Sequence, residues 1–234
     1  MTGASRFPGG FLVSRLVQDP SIERVVAVDA VSPSKDMMRR MGRAEFVRAD
    51  IRNSLIGKVI RGAEVDTVVH AANRRAGPAV GQSRSHEGHE RHRRHAVFAV
   101  CQKSPSVRKV VLRSASAVYG RSPGDPAKFT EEMGARRPPR GALGRDCIDI
   151  EGYARAMGRR RPDIAVSILR LAPLMGPHRH GWVARYLSSP IVPRILGRDA
   201  RMQLLHEEDA LAALHRATVT GPPARSTSPV TGSS

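Results

Sequence analysis

The stretch that decides the fold is Thr2-Gly3-Ala4-Ser5-Arg6-Phe7-Pro8-Gly9-Gly10, which leads into a helical pattern over residues 10–18. Glycines in a turn before a helix let the backbone approach a diphosphate, and the helix start supplies amide donors and a positive dipole end. The turn therefore predicts a dinucleotide-phosphate site, with a Gly-rich turn that binds nothing as the alternative. Its candidate cofactor-binding residues are Gly3, Ser5, Arg6, Phe7 and Gly9.

Beyond this turn, short β-branched runs alternate with helical patterns. The runs are 24–29, 44–49, 66–70, 109–112 and 164–171, and the helical patterns are 10–18, 54–61, 146–160 and 207–217. Such alternation is typical of a parallel sheet covered by helices, so the sequence predicts an α/β protein. The chain is long enough to bury a core of one domain.

An acidic residue, Asp29, ends the first of these runs, about twenty residues after the first helix begins. A carboxylate at that point can accept hydrogen bonds from the hydroxyls of an adenosine ribose. It would repel a 2′-phosphate, and therefore favours NAD over NADP. A helix cap is the alternative role for an aspartate after a strand.

Two further strand ends carry candidate cofactor contacts. Asp50 and Ile51 follow the second run, where an aspartate can meet the adenine amino group. Ala71 and Ala72 follow the third, where small residues let a cofactor pass close to the backbone.

Together these motifs resemble the extended short-chain dehydrogenase/reductases, and more narrowly the NAD-dependent epimerase/dehydratase family of sugar-nucleotide enzymes, such as UDP-glucose 4-epimerase. Further motifs of the same family lie at Ser116–Gly120, around Leu169–Leu171 with Gly176-Pro177, and at 203–210. The resemblance implies a Rossmann-like fold with NAD as cofactor and a nucleotide sugar as substrate. It divides the chain into an NAD(P)-binding domain at 1–172, a remnant of a substrate domain at 173–218 and a disordered tail at 219–234.

The catalytic residues of the family are poorly matched. The family uses a Tyr as the acid–base, a Lys four residues later that lowers the Tyr pKa, and a Ser or Thr that binds the substrate oxygen. Judged from Asp149, the Lys position falls at Arg145 and the Tyr position at Gly141. The Ser position falls at Ala115, and its neighbours Ser114 and Ser116 can substitute only if the loop shifts.

Other family positions are also degenerate. The Asn that contacts the sugar nucleotide falls at Pro173, and the middle Gly of the phosphate turn is Arg6. Tyr119 is interpreted as structural and Tyr153 as a core aromatic rather than a replacement base. Ser116 and Arg145 remain the catalytic candidates, and we expect epimerase or dehydratase activity to be impaired or lost. A catalytically dead nucleotide-binding remnant is the alternative function.

Compared with family members, the sequence also looks shortened at both ends, and two of its segments have an unusual composition. Family members begin with a strand before the Thr-Gly pair and continue well past the late His-x-x-Asp, so we expect the first strand and most of the substrate domain to be missing. Residues 73–97 hold six Arg and four His without apolar periodicity, an irregular and potentially disordered segment where the family has a long helix. We hypothesise that this block and the tail 221–234 are out-of-frame readings of a GC-rich gene. A transition-metal site at the four His, spaced every third residue from 86 to 95, is a weaker alternative.

Charge and composition restrict the partners. The formal charge is +18, and only five of the 39 basic residues are Lys. An Arg-rich coding bias explains this better than nucleic-acid binding, because the Arg are spread along the chain without interleaved aromatics. Two cysteines and no long apolar run predict a cytoplasmic protein without a membrane span, disulfide scaffold or Cys-rich zinc site. The oligomeric state stays open.

Overall fold

The computed structural model describes residues 1–50, 55–72, 96–120, 122, 125–126, 128–178, 183, 186–191 and 202–220. The described helices are α1 (Gly9–Leu16), α2 (Lys35–Arg40), α3 (Leu55–Gly62), α4 (Ala96–Lys103), α5 (Ala142–Arg160) and α6 (Glu207–Val219). The described strands are β1 (Val26–Asp29), β2 (Glu45–Arg48), β3 (Thr67–His70), β4 (Lys109–Ala115), β5 (Ala165–Leu171), β6 (Leu174–Met175) and β7 (Leu205–His206). A 3-10 turn at Ser116–Tyr119 follows β4.

All the strand pairs are parallel. β1 pairs with β2, β3 pairs with β4, β4 pairs with β5, and β6 pairs with β7. Thr2 joins the first two groups, because it bridges Val28 of β1 on one side and His70 of β3 on the other. The resulting parallel sheet with helices on both faces is a Rossmann-like fold, which confirms the predicted fold class.

The amino-terminal residues occupy the centre of this sheet. The Thr2 amide donates to the Val69 carbonyl at 2.8 Å, and the Val28 amide donates to the Met1 carbonyl at 2.7 Å. The Met1 amino group donates to the Val26 carbonyl at 2.6 Å. The central strand predicted to be missing is thus represented by two residues, which hold the two halves of the sheet together.

A buried layer lies on each face of the sheet. On one face α1 and α6 bury Leu12, Val13, Leu211 and Leu214 against the strands. On the other face α3, α4 and α5 bury their side chains, which include Ile56, Ile60, Phe98, Ala154 and Met157. Neighbouring residues of β4 point to opposite layers, as expected for a strand covered on both sides.

Several element boundaries differ from the sequence-based ones. Helix α5 begins at Ala142 rather than at 146, and α4 begins at Ala96, inside the segment predicted to be irregular. Helix α6 extends to Val219, the first residue of the predicted tail. It packs on the same core as α1, and the Lys109 ammonium of β4 donates to the Thr218 carbonyl at 3.1 Å. In the structure, α6 is therefore part of the Rossmann-like core.

Several predictions concern residues that the structure leaves undescribed. Ile51, the segment 73–95 with its four His, and the tail 221–234 lie outside the described residues. The metal alternative and the frame hypothesis therefore stay predictions. Within the described ranges, no helix is both long enough and apolar enough to cross a membrane.

Candidate dinucleotide site

The predicted phosphate turn lies at the carboxyl ends of β1 and β3. Gly3 has a φ of +81°, and a Cβ added there would lie 2.5 Å from the Ala72 amide nitrogen. A Cβ on Gly9, at the start of α1, would lie 1.9 Å from the Gly3 carbonyl oxygen. Both positions therefore require glycine, and the turn is folded tightly against the strand ends.

Asp29 lies directly beside this turn. One oxygen of its carboxylate accepts from the Ser5 amide at 2.9 Å, and the other accepts from the Val31 amide at 3.2 Å. The Ser5 hydroxyl donates to the Val31 carbonyl. Each carboxylate oxygen can accept more than one hydrogen bond, so Asp29 retains acceptor capacity for a ligand hydroxyl.

The other two candidates in the turn point in different directions. Arg6 is exposed, and its carbonyl accepts from the Gly10 amide at 2.8 Å. The Phe7 ring lies 5.5 Å from the Phe11 ring and stacks at 5.9 Å on the His178 ring, measured between ring centres. Phe7 therefore ties the turn to the segment after β6, whereas the Arg6 side chain is left at the surface.

At the end of β3, the Ala71 amide donates to the Thr2 carbonyl at 3.0 Å, and Gly3 packs on the backbone of Ala72. The Ala71 carbonyl in turn faces the Arg113 guanidinium, whose Nη1 lies 3.5 Å away. Burial lowers the pKa of Arg113 to about 10. Asp50 is half-buried directly after β2.

The two catalytic candidates lie on β4's 3-10 turn and on α5. Ser116 is half-buried at the start of the turn, while Arg145 is exposed and donates to the Arg140 carbonyl at 2.8 Å. Arg145 faces solvent because the inner face of α5 carries Gly144, Cys147, Glu151 and Ala154, three or four residues apart. The Arg145 side chain therefore lies on the outer face of α5, away from the buried layer.

Cys147 is the α5 residue that reaches β4. It is buried, and Ser114 and Ala115 of β4 are among the groups that act on its thiol. Burial raises the pKa of the Cys147 thiol, so the group stays neutral near neutral pH.

A buried polar network lies one turn further along α5. The Glu151 carboxylate accepts from the Ser114 hydroxyl at 2.6 Å and from two nitrogens of Arg170, the closer at 2.9 Å. Arg170 also donates to the Tyr119 hydroxyl at 3.0 Å, and its guanidinium lies over the Tyr119 ring. The network connects β4, β5, the 3-10 turn and α5 at the edge of the candidate site.

Sequence reasoning missed Glu151, Arg113 and Cys147 as elements of this region, although the signal for Glu151 was present. It falls at i+4 from Cys147 and i−3 from Ala154, which places it on the apolar face of α5. The matching signal is Arg170, a lone charge inside the apolar run of β5. A carboxylate on a buried face and an arginine in a buried strand predict each other as partners.

The turn, the strand-end carboxylate and the parallel sheet define the class of dinucleotide-binding Rossmann-like proteins. The chain belongs to the NAD dependent epimerase/dehydratase family, whose model matches residues 1–227.

Relatives in other organisms agree with this assignment. An uncharacterized protein of Mycobacterium tuberculosis is 60% identical over 221 residues, which are 94% of this chain and 59% of that protein. UDP-glucose 4-epimerase 3 of rice is 25% identical over 194 residues, which are 77% of this chain and 50% of that enzyme. The chain therefore spans between half and three fifths of the length of these relatives.

Solved structures show the same fold. The dTDP-glucose 4,6-dehydratase of Bacillus anthracis, in complex with NAD, superposes with a TM-score of 0.74 at 20% identity, over 94% of this chain and 71% of that one. DesIV, the dTDP-glucose 4,6-dehydratase of Streptomyces venezuelae, superposes with a TM-score of 0.71 at 21% identity, over 92% and 69%.

Proposed function

We propose that this chain binds NAD through the turn at residues 2–10 and Asp29, as an epimerase/dehydratase-like protein of the sugar-nucleotide type whose chemistry is impaired or lost. One observation carries the binding: Ser5 of the turn and the Asp29 carboxylate are in direct hydrogen-bonding contact. A diphosphate placed over the turn is thereby next to a carboxylate that can accept from the adjoining ribose.

The residues present fit a dinucleotide. Gly3 and Gly9 let the turn fold tightly against Ala72 and against itself, and the start of α1 that follows can present amide donors to a phosphate. Asp29 would accept from the ribose hydroxyls and repel a 2′-phosphate. When bound in such a site, NAD supplies a carbon that accepts or donates a hydride.

The impairment follows from the side chains at the positions of the family's catalytic residues. If Asp149 marks the motif, the Tyr and Lys positions hold Gly141 and Arg145; if the buried Glu151 marks it, they hold Leu143 and Cys147. On either assignment no phenol stands four residues before an ammonium, and the thiol of Cys147 is not ionised near neutral pH. Ser116 is the one hydroxyl among our catalytic candidates.

A calorimetric titration with NAD tests the binding. Wild type is expected to bind NAD in preference to NADP, and Asp29→Ala is expected to weaken NAD binding at least tenfold and to reduce that preference. Gly9→Ala should abolish binding, whereas the matched control Gly134→Ala, where an added Cβ meets nothing within 4 Å, should not. Equal affinity of wild type and Asp29→Ala would refute the assigned site.

A turnover assay with UDP-glucose and NAD tests the second half of the proposal. We expect binding without measurable epimerisation or dehydration. Turnover at the rate of an intact family member would show that other residues supply the chemistry. Saturable binding of an oligonucleotide at physiological salt, without NAD binding, would favour the basic nucleic-acid-binding alternative instead.

We also propose a cytoplasmic location. Both cysteines are free and buried, as a reducing compartment allows.

A further inference from the structure

Arg113 is a cation at the carboxyl edge of the sheet, next to the phosphate turn. It lies on β4 one position beyond the pairing of His70 with Leu112, the last pair in the register of β3 and β4. Its Nη1 lies 3.5 Å from the Ala71 carbonyl oxygen, which is the long limit of a hydrogen bond. The turn packs on the same backbone, since a Cβ on Gly3 would lie 2.9 Å from the carbonyl carbon of Ala71. The guanidinium and the turn therefore contact the same end of β3.

The charge of Arg113 has no carboxylate to compensate it among the residues that the structure describes. Its Nε is buried and makes no hydrogen bond to them, and the thiol of Cys147, the group that opposes the effect of burial, is neutral near neutral pH. Burial lowers the pKa of Arg113 to about 10, so the guanidinium is still charged at pH 7. The buried guanidinium of Arg170 differs, because Glu151 accepts from two of its nitrogens. A buried cation without a counter-ion is costly and favours a ligand that brings negative charge.

The strand order assigns Arg113 to one half of the dinucleotide site. A dinucleotide binds outside the carboxyl ends of the strands, with its two halves on either side of the point where the strand order reverses. Here β1 lies on one side of Thr2 with β2 beyond it, and β3 lies on the other side with β4 beyond it. Asp29 on β1 takes the adenosine ribose in the proposed site, so the ends of β3 and β4 are left for the nicotinamide half.

We propose that Arg113 selects the redox form of the dinucleotide, so that the site binds NADH more tightly than NAD⁺. The nicotinamide ring of NAD⁺ carries a positive charge, whereas the ring of NADH is neutral and of similar size. A buried cation at the ends of β3 and β4 repels the charged ring, while it attracts the diphosphate of both forms equally. The inference rests on the proposed NAD binding and adds to it the form of the cofactor that the site prefers.

The size of the effect follows from the two charges. Two unit charges about 10 Å apart, at an effective dielectric constant of about 20, repel each other by more than the equivalent of a tenfold change in affinity. A shorter separation would increase the effect, because the repulsion rises as the distance falls. Wild type should therefore bind NADH at least tenfold more tightly than NAD⁺.

Calorimetric titrations of the full chain with NAD⁺ and with NADH measure the ratio of the two affinities. Arg113→Met keeps much of the apolar stem and removes the charge, and it should lower the ratio at least fivefold. Arg113→Lys keeps the charge and should keep the preference for NADH. Circular dichroism checks the fold of each variant, and Arg113→Gln takes the place of Arg113→Met if the latter does not fold.

Arg108→Met is the matched control for the loss of a charge. Arg108 directly precedes β4, at the opposite edge of the sheet, and its side chain is 64% exposed. The control loses the same net charge as Arg113→Met and should leave the ratio unchanged. An equal fall of the ratio in the two variants would mean that net charge matters rather than position, and would overturn the proposal.

The ratio also separates redox selection from a structural role. If Arg113 only supports the diphosphate or the backbone at Ala71, its removal weakens both forms equally and the ratio stays constant, which overturns the proposal. Equal affinity of wild type for the two forms overturns it as well. In either case, weaker binding of both forms by Asp29→Ala would leave the proposed function in place, whereas binding of neither form by wild type would overturn the proposed function and this inference together.

Discussion

Replacing Glu151 by Ala tests the buried network that joins β4, β5 and α5. The variant leaves the Arg170 guanidinium, whose side chain is 7% exposed, without the carboxylate that it contacts at 2.9 Å. Breaking a buried ion pair from one side costs about 3–5 kcal/mol. Since the Tyr119 hydroxyl and the Glu131 carbonyl still accept from Arg170, we expect the lower end, about 3 kcal/mol.

The matched control removes a different partner of the same carboxylate. Arg155 also contacts Glu151 at 2.8 Å, but its side chain is 42% exposed, so Arg155→Ala should cost less than about 1 kcal/mol. Urea denaturation followed by far-ultraviolet circular dichroism measures both losses, as midpoint shifts at unchanged slope. Equal losses in the two variants, or a loss below about 1 kcal/mol for Glu151→Ala, would refute the claim that burial decides the contribution.

Two further outcomes follow from buried groups. Lys109→Met removes the ammonium that binds the last carbonyls of α6 and should cost about 1–2 kcal/mol in urea denaturation, whereas Lys103→Met at an exposed position should be neutral. Burial raises the pKa of Cys147 and raises that of Cys101 to about 12, so neither thiol should react with a thiol reagent at pH 8 until the chain unfolds; rapid labelling of the native chain would contradict the buried placement.

The sheet could be predicted from the sequence because parallel strands covered on both faces consist of consecutive β-branched residues. The runs at 24–29, 66–70 and 164–171 each lie within two residues of the strands that the structure shows. Helix α2 could not be found in this way, since it buries no residue. It is held by the Ser34 cap, by the contact of Asp36 with Arg40 and by the packing of half-buried Met37 on the core, and a single apolar contact makes no period.

The centre of the sheet shows a second limit. Sequence reasoning expected the central strand to be absent, because Met1 directly precedes the Thr-Gly pair where family members have a strand. In the structure, Met1 and Thr2 pair with both neighbours through backbone groups alone. Backbone pairing of this kind is independent of side-chain type, so no residue pattern could have predicted it.

The same distinction between backbone and side-chain interactions applies to the candidate site. The phosphate turn was predictable because it depends on Gly3 and Gly9, where the missing Cβ is itself the signal. The exposure of Arg145 could not be predicted in this way, because it depends on the phase of α5, and that phase is set by which residues the helix buries. A phase error of two residues moves a side chain to the other face of a helix.

Because cofactor binding depends on backbone groups and catalysis on side chains, one chain can keep the first and lose the second. A diphosphate is held by backbone amides and a helix end, which survive any substitution that leaves the glycines in place. Hydride transfer to a hydroxyl-bearing substrate needs a proton acceptor and a nearby positive charge at fixed side-chain positions. Here the inner face of α5 offers a neutral thiol at Cys147, and a cation that interacts with it, Arg113, comes from β4. A lysine introduced at 147 would stand beside that guanidinium and be driven toward its neutral form, so replacing single residues cannot rebuild the pair.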